Sequence, residues 1–395
     1  MDVLHGLVNG MKVSDEKVHC DYAGDPTRSS ELIINSKKPF NAETPGGILV
    51  KHFVTPVDLF YVRNHGPVPE IDPKTYEFSV SGLVGQPFKM SLAELQDSAN
   101  HVTISATLMC AGNRRNELKD IKPVKGVGWE IGAIGNAEWT GVPLRDVLEK
   151  AKIDLNNPRL HVEFVGEEDC EEITKYGSSI PLSKAMDPKG DVILAWAMNG
   201  KPLSRDHGHP LRAVVPGFIG ARSVKWIKEI NIIDGESQNR FQQKDYKLFL
   251  PSVDWDKVDE LWDKSVPISW LAVQSAICQP QNNEVIPKDQ PYSIKGYALS
   301  NGSRIVRVDV SLNSGKDWQV ADIVHQDKQE QKGWENRYWS WSLWTLNVDK
   351  FPSPCTVVCR AWDICSNTQP ENAASIWNLR GVMNNAWHRV NVKGA

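Results

Sequence analysis

The sequence predicts an α+β protein, a mixed α/β domain followed by an all-β immunoglobulin-like sandwich. Three observations predict it. The 395 residues exceed what one small hydrophobic core serves, so two domains are expected. From about residue 45 to 250, short strand patterns mix with short helical ones between Gly/Pro loops, in no repeating order, as in mixed sheet and helix folds. After Pro267 the texture changes to alternating strands separated by turn residues, the pattern of a β-sandwich.

Taken in chain order, residues 1–30 are polar and irregular and read as a mobile N-terminal arm. Residues 31–265 form the first domain. Strands are expected at Tyr76–Val80, Thr103–Leu108, Arg159–Val165, Val192–Ala195 and Leu211–Val215, and helices at Ser91–Gln96 and Pro143–Ala151. The second helix sets Leu144, Val147 and Leu148 on one face. Asp254–Lys264 is charged and helix-like. Residues 266–395 form the sandwich, with roughly seven short strands expected. Arg304–Leu312 alternates strictly and runs into an Asn313-Ser314-Gly315 turn. Tyr338–Val348 is a second alternating strand, with Trp339, Trp341 and Leu343 on one face and Trp344, Leu346 and Val348 on the other. One of these faces serves the sandwich core. The other suits a partner subunit or the first domain equally well.

Bulk composition excludes several classes of function. Net charge is −4 and the pI is near 6.2, so no global basic field recruits nucleic acid or an acidic membrane. Any anion site is therefore local. No run of apolar residues reaches membrane-spanning length, and the N-terminus lacks the basic and apolar regions of a secretory signal. Seven cysteines, an odd number without paired CxxC spacing, point to reduced thiols and an intracellular address. The compartment stays open between cytosol, peroxisome and mitochondrial intermembrane space. Cys355 and Cys359 do not make a zinc site, because residues four apart on a strand are about 13 Å apart.

The richest segment is Ser105-Ala106-Thr107-Leu108-Met109-Cys110-Ala111-Gly112-Asn113-Arg114-Arg115. A strand-like run delivers one cysteine to a small-residue turn, and two arginines follow. Positive charge beside a thiol favours the thiolate, which is either a nucleophile or a soft metal ligand. Arginines so placed expect an anionic visitor. Four further segments carry ionisable groups: Phe60-Tyr61-Val62-Arg63-Asn64-His65-Gly66-Pro67-Val68-Pro69, Arg205-Asp206-His207-Gly208-His209-Pro210-Leu211-Arg212, Val215-Pro216-Gly217-Phe218-Ile219-Gly220-Ala221-Arg222-Ser223-Val224-Lys225-Trp226, and Ile376-Trp377-Asn378-Leu379-Arg380-Gly381. In the third, Arg222, Ser223 and Lys225 offer donors to an anion. Any one of these alone reads as a solvated loop or a structural ion pair, and Cys110 alone reads as a small buried hydrophobe. The functional case rests on their occurring together, in one order.

That ordered set, with Pro39-Phe40-Asn41-Ala42-Glu43, Val124-Lys125-Gly126-Val127-Gly128-Trp129 and Lys244-Asp245-Tyr246-Lys247, resembles the sulfite oxidase family of molybdenum enzymes from about Pro39 to Val392. The resemblance implies a sulfite-oxidase-type molybdopterin-binding domain, a sandwich that makes a homodimer, and one molybdenum-molybdopterin per chain. It makes Cys110 the single protein ligand to the metal. Tyr61, Val62, Arg63, Asn64, His65, Glu168, His207, Arg212, Ser223, Val224 and Lys225 become cofactor contacts, with the acidic contact falling on Glu168 or Asp169. Arg63, Arg115, Trp129, Tyr246 and Arg380 become the pocket for a small oxyanion, with Cys110, Tyr246, Arg63 and Arg115 catalytic and Arg114 structural. The implied reaction is oxygen-atom transfer to sulfite, giving sulfate, with electrons passing to an external acceptor, dioxygen or cytochrome c.

No haem is expected in the chain, because no His-Pro-Gly-Gly stretch is present, and the pattern looks like the haem-free plant-type enzyme or an excised catalytic fragment. The molybdenum domain of nitrate reductase is the nearest alternative, and Arg380 argues against it, since nitrate reductases typically carry an apolar residue there. A non-catalytic pterin-binding scaffold is the alternative of another class. Retention of Cys110 and the three pocket arginines argues against that. Met109, His209 and the Trp196-Ala197 pair depart from the family pattern.

Overall fold

The computed structural model describes residues 20–98, 100–170, 175–325 and 337–394. Three sheets make up the first domain. The smallest pairs Ile33–Lys37, Phe40–Glu43 and Val62–Arg63. It carries Arg63 and Asn64 toward the centre of the domain, where the Asn41 side-chain carbonyl accepts from Arg63 Nη1 and from the Asn64 backbone N–H, both at 3.1 Å.

The second sheet runs Lys201–Pro202, Ile193–Met198, Ile134–Pro143, Val102–Met109, with Arg212–Val214 also paired to Ile193–Met198. Val102–Met109 pairs antiparallel with Ile134–Pro143 from Val102 opposite Gly141 to Met109 opposite Ile134. The ladder continues one residue further, where Cys110 N–H donates to the Ala133 carbonyl at 2.9 Å. Cys110 is thus fixed by the last rung of a central pairing rather than by a free loop.

The third sheet runs Phe88–Ser91, Glu77–Gly82, Ile227–Asp234, Leu160–Gly166, Gly177–Pro181. In it Ile227–Asp234 runs parallel to Glu77–Gly82 and antiparallel to Leu160–Gly166, with Ile227 opposite Gly166, so the residues just outside that rung, Lys225 and Glu168, come together. Leu92–Gln96 starts with a capping box in which Glu94 N–H donates to Ser91 Oγ at 3.2 Å and Ser91 N–H to Glu94 Oε2 at 2.8 Å, as in other helix starts of this type. Leu144–Glu149 buries Leu144, Val147 and Leu148. Asp254–Lys264 is not an α-helix. It forms two 3₁₀ turns, Val258–Glu260 and Trp262–Lys264, because Val258, Leu261 and Trp262 supply too short an apolar stripe to bury a full helix.

Residues 1–19 of the expected arm lie outside the described residues. Farther along, Arg28 forks onto Asp206 with two 2.9 Å bonds, and the Asp25 carboxylate accepts from Val68 N–H at 2.9 Å. This part of the arm is clasped to the domain.

The C-terminal region packs two sheets face to face among the described residues. One contains Gln274–Gln279, Tyr292–Leu299, Ser342–Val348 and Asp322–His325; the other contains Val285–Ile286, His388–Gly394, Cys355–Asp363, Ile305–Ser311 and Gln319–Val320. Val308, Val310, Trp344, Leu346, Val357, Cys359, Val390 and Val392 fill the space between them. The tryptophan-rich strand divides by parity as alternation requires. Trp344 and Leu346 enter the sandwich core, while Trp341 and Leu343 join the core of the first domain. The second face therefore covers the first domain and not a partner subunit. Trp339 and Trp341 also dock on the strand that carries Cys110. Thr107 N–H donates to the Trp339 carbonyl at 3.0 Å, and Trp341 N–H donates to Thr107 Oγ1 at 2.8 Å.

Candidate active site

A cavity opens where the second and third sheets meet, lined by Tyr61, Arg63, His65, Cys110, Glu168, His207, Arg212, Ser223, Val224, Lys225 and Tyr246 among others. Eleven of the residues singled out from sequence thus converge from segments spread over nearly two hundred positions. Cys110 is buried, and its sulfur accepts the Gly112 N–H at 3.4 Å.

One wall is cationic. Lys225 donates to the Asp206 carbonyl at 2.8 Å and to Asn64 Oδ1. Burial pushes its ammonium down to about 7, against the pull of Glu168 and Asp206. Arg212 donates to the carbonyls of His207 and Ser223, both at 3.0 Å, and burial lowers it to about 10. It therefore stays charged at neutral pH. His207 Nε2–H donates to the Val57 carbonyl at 3.1 Å, which leaves Nδ1 toward a ligand; burial pushes this ring down to about 4. Ser223 Oγ accepts from Val215 N–H at 3.0 Å and keeps its own proton to donate.

The opposite wall holds His65 and Tyr246. The His65 ring stacks on Tyr176 with centroids 4.6 Å apart, and its Nε2 lies 3.3 Å from the Tyr246 hydroxyl. Burial, then Arg63 and Lys225, drive the His65 pKa well below its ordinary value, so the ring is neutral. Burial raises the Tyr246 phenol, so it keeps its proton. Glu168 accepts the backbone N–H groups of His65 at 2.6 Å and Gly66 at 2.9 Å. Asp169 instead is half exposed and pairs with Lys175 at 3.0 Å, so of the two acidic candidates it is Glu168 that faces the cavity.

Other sequence candidates stand behind the wall. Val62 points away into a small cluster with Leu32, Phe40 and Ala42, because strand alternation puts it opposite Tyr61 and Arg63. Asn64 touches Lys225 and Asp206 instead of the open space. Arg222, offered as an anion donor, is spent on the Ile268 carbonyl, Ser178 Oγ and Gln242. Trp129 is fully buried in one cluster with Cys110. Arg115 donates Nε to the carbonyls of Arg380 and Gly381, at 3.1 and 3.0 Å, and Nη1 to Val127 at 2.5 Å; it is within electrostatic reach of Cys110, Arg63 and Tyr246. Arg380 pairs with Asp245 at 2.5 Å.

Sequence reasoning missed Phe60, Tyr176 and the Arg28–Asp206 fork behind the cavity. Phe60 and Asp206 lie inside segments already singled out, though neither is named there as a site residue. Tyr176 had no local signal.

Whether a molybdopterin suits these residues is decided by what the protein leaves unpaired. Arg63, Arg212 and Lys225 face Glu168 and an Asp206 already committed to Arg28, so an anion is needed to balance the wall. The buried Trp129 Nε1 and Arg380 Nε, outside the cavity lining, and Trp344 Nε1 in the sandwich core have no hydrogen-bond partner among the described residues. Among the described residues no group of three or more His, Cys, Asp or Glu side chains converges as a metal site. The residues fit the group.

Comparison with known proteins agrees with this chemistry. Residues 65–241 match the oxidoreductase molybdopterin binding domain, and residues 265–395 match the Mo-co oxidoreductase dimerisation domain. The chain is 46% identical to human mitochondrial sulfite oxidase over 378 residues, covering 94% of this chain and 67% of the human protein. It is 45% identical to sulfite oxidase of Arabidopsis thaliana over 381 residues, covering 94% and 96%. Barley nitrate reductase [NAD(P)H] is 41% identical over 377 residues, covering 91% of this chain and 41% of that protein. The sulfane dehydrogenase SoxCD of Paracoccus pantotrophus superposes with a TM-score of 0.74 at 25% identity, over 99% of this chain and 96% of that one. Matched along both domains and at nearly half of its positions, the chain belongs to the sulfite oxidase family of molybdopterin-binding oxidoreductases.

Proposed function

We propose that this enzyme oxidises sulfite to sulfate and passes the electrons to an external acceptor, dioxygen or a cytochrome. The observation that carries the reading is the buried Cys110 thiol in a cavity walled by fixed cations and by the hydroxyl of Tyr246. Cys110 holds the metal; Lys225, Arg212, His207 and Ser223 take the pterin and its phosphate by charge-assisted hydrogen bonds. When bound, the cofactor supplies the two-electron couple for oxygen-atom transfer. Water is the ultimate oxygen source, so each sulfite yields one sulfate, two protons and two electrons.

The chain's own part is binding and orientation. Arg63, Arg115 and Arg380 attract the oxyanion and stay protonated throughout. Tyr246 keeps its proton and donates a hydrogen bond at the cavity wall, while neutral His65 fixes the direction of that hydroxyl. Trp129 offers an indole N–H that has no other use. Fixed donors aimed where charge gathers need no reorganisation during the reaction.

A homodimer through the sandwich is supported by the dimerisation-domain match. One molybdopterin is the sole redox group we assign to these residues, with no haem. An odd number of cysteines, seven, without paired spacing, supports an intracellular address. The test combines molybdenum analysis with sulfite-dependent oxygen consumption, peroxide formation and cytochrome c reduction. Saturable sulfate formation with either acceptor is expected. Full molybdenum occupancy without sulfite turnover for any acceptor overturns the proposal.

A further inference from the structure

We propose that Gly112 and Gly126 form a slot that sets the position of the Arg115 guanidinium, and so set the affinity of the site for its oxyanion. The inference rests on the reading of Arg115 as an oxyanion-binding residue. The two glycines come from different segments, the turn after Cys110 and the loop before Trp129. A Cβ built on Gly112 would lie 2.6 Å from Arg115 Cζ, 2.6 Å from Nη2 and 2.7 Å from Nη1. One built on Gly126 would lie 2.7 Å from the same Cζ and 2.8 Å from Nη1. At both positions the three nearest atoms all belong to Arg115. No ordinary Cβ contact is that short, so a methyl at either position must displace the guanidinium.

The consequence is selective. The obstacle is the far end of one flexible side chain, so the backbone can stay while the arginine moves. Gly112 has a φ outside the left-handed region, whereas Gly126 sits at +142°. Alanine at 112 therefore meets the guanidinium without backbone strain, and alanine at 126 adds strain to the same displacement. Three carbonyls, of Val127, Arg380 and Gly381, fix Nε and Nη1. Nη2 makes no hydrogen bond to the described residues, which leaves it as the donor edge for a ligand. The glycines thus act as positioning residues, through Arg115, and account for small residues at two points where polar substrate chemistry gives no reason for them.

The test uses the molybdenum-loaded protein, with metal content measured for every variant. In Gly112→Ala the sulfite KM should rise at least about tenfold, the size of a lost charge-assisted hydrogen bond, with kcat within about twofold, the signature of lost binding common to ground and transition states. Sulfate affinity, measured by calorimetry, should fall in parallel. Combined with Arg115→Ala, which empties the slot, Gly112→Ala should change KM by less than about twofold, since nothing remains to displace. A merely structural glycine would damage both backgrounds equally, and that outcome overturns the proposal, as does an unchanged KM in Gly112→Ala. Gly126→Ala carries the same test should Gly112→Ala fail to fold. Absence of sulfite turnover in the unaltered enzyme sinks the functional reading instead, and the sulfate titration then still decides whether the slot controls anion binding.

Discussion

Arg114 and Arg115 are adjacent in sequence and both buried, yet they belong to two regions of opposite character. Arg114 faces the seam between the domains. It forks onto Glu117 with two 2.7 Å bonds and donates to the Ala386 carbonyl at 2.8 Å, and Asn384 donates back to its own carbonyl at 3.0 Å. Arg115 lies behind the cavity wall, within electrostatic reach of Cys110, Arg63 and Tyr246, with no carboxylate partner among its hydrogen bonds. Burial raises no obstacle for Arg114, because Glu117 more than offsets it. The same burial lowers Arg115 to about 10. The turn at Arg114, with φ of 63°, sends the two side chains in different directions. Compensation inside the protein marks the structural charge, and its lack marks the charge kept for a visitor.

The comparison extends to the two regions as wholes. At the seam, polar groups of the cysteine-bearing loop end on sandwich residues. Asn113 donates to Gln274 at 3.1 Å and to Tyr297 at 2.9 Å, and Met383 N–H donates to the Ala111 carbonyl at 2.7 Å. The sandwich therefore supports the catalytic loop directly, besides offering a dimerisation surface. In the cavity, Lys225 is only partly compensated, and the nearby Trp129 and Arg380 keep unpartnered nitrogens.

The largest effect that sharpens this contrast comes from the metal ligand. Cys110→Ser should cut turnover by at least about a thousandfold while melting and circular dichroism stay near those of the unaltered protein; near-normal activity would remove Cys110 from the ligand role. Next, Arg380→Met should raise the sulfite KM about tenfold with a smaller change in kcat, read from steady-state kinetics. An unaltered KM would move Arg380 from the cavity group to the structural group, where its Asp245 pair already places one of its edges.

A smaller effect separates the regions by pH. His388 at the seam accepts Ile277 N–H on Nδ1 at 3.0 Å, and burial holds its pKa at about 4; His207 in the cavity is also at about 4. Each lies below the unfolded value of about 6.5. As pH falls from about 6.5 to 4, the unfolded chain takes up the proton first, so stability is lost through that window, by up to about 3 kcal/mol per group. Bound anionic cofactor favours the charged form of His207 alone. Denaturant titrations at pH 4.5 and 7 should therefore show the smaller acid loss in the loaded protein, with the seam's share unchanged. Equal losses with and without cofactor would contradict the division.

Much of this was legible in the sequence. The strand into Cys110, the two domains, and the segments around Arg63, His207 and Ser223 were carried by local pattern, and the structure brings them to one cavity. What local pattern could not carry was direction across space. Val62 was grouped with its neighbours, but a two-residue strand is too short to reveal its own alternation. Arg222 looked like a donor beside Ser223 and Lys225, and only the packing of Ser178, Gln242 and Ile268 shows it spent. Arg380 meets Asp245 and Arg28 meets Asp206 across long stretches of chain, contacts that no spacing encodes. The outward tryptophan face had a definite parity, yet its partner depended on how the domains dock.

The most direct test of the division between seam and cavity is a side-by-side measurement of thermal stability and sulfite KM in Arg114→Met and Arg115→Met. Loss of the buried Arg114–Glu117 pair should cost about 3 kcal/mol of stability, with KM near that of the unaltered enzyme in the protein that remains folded. Arg115→Met should melt close to the unaltered protein and raise KM by at least about tenfold. The same pattern of loss in both variants would contradict the account.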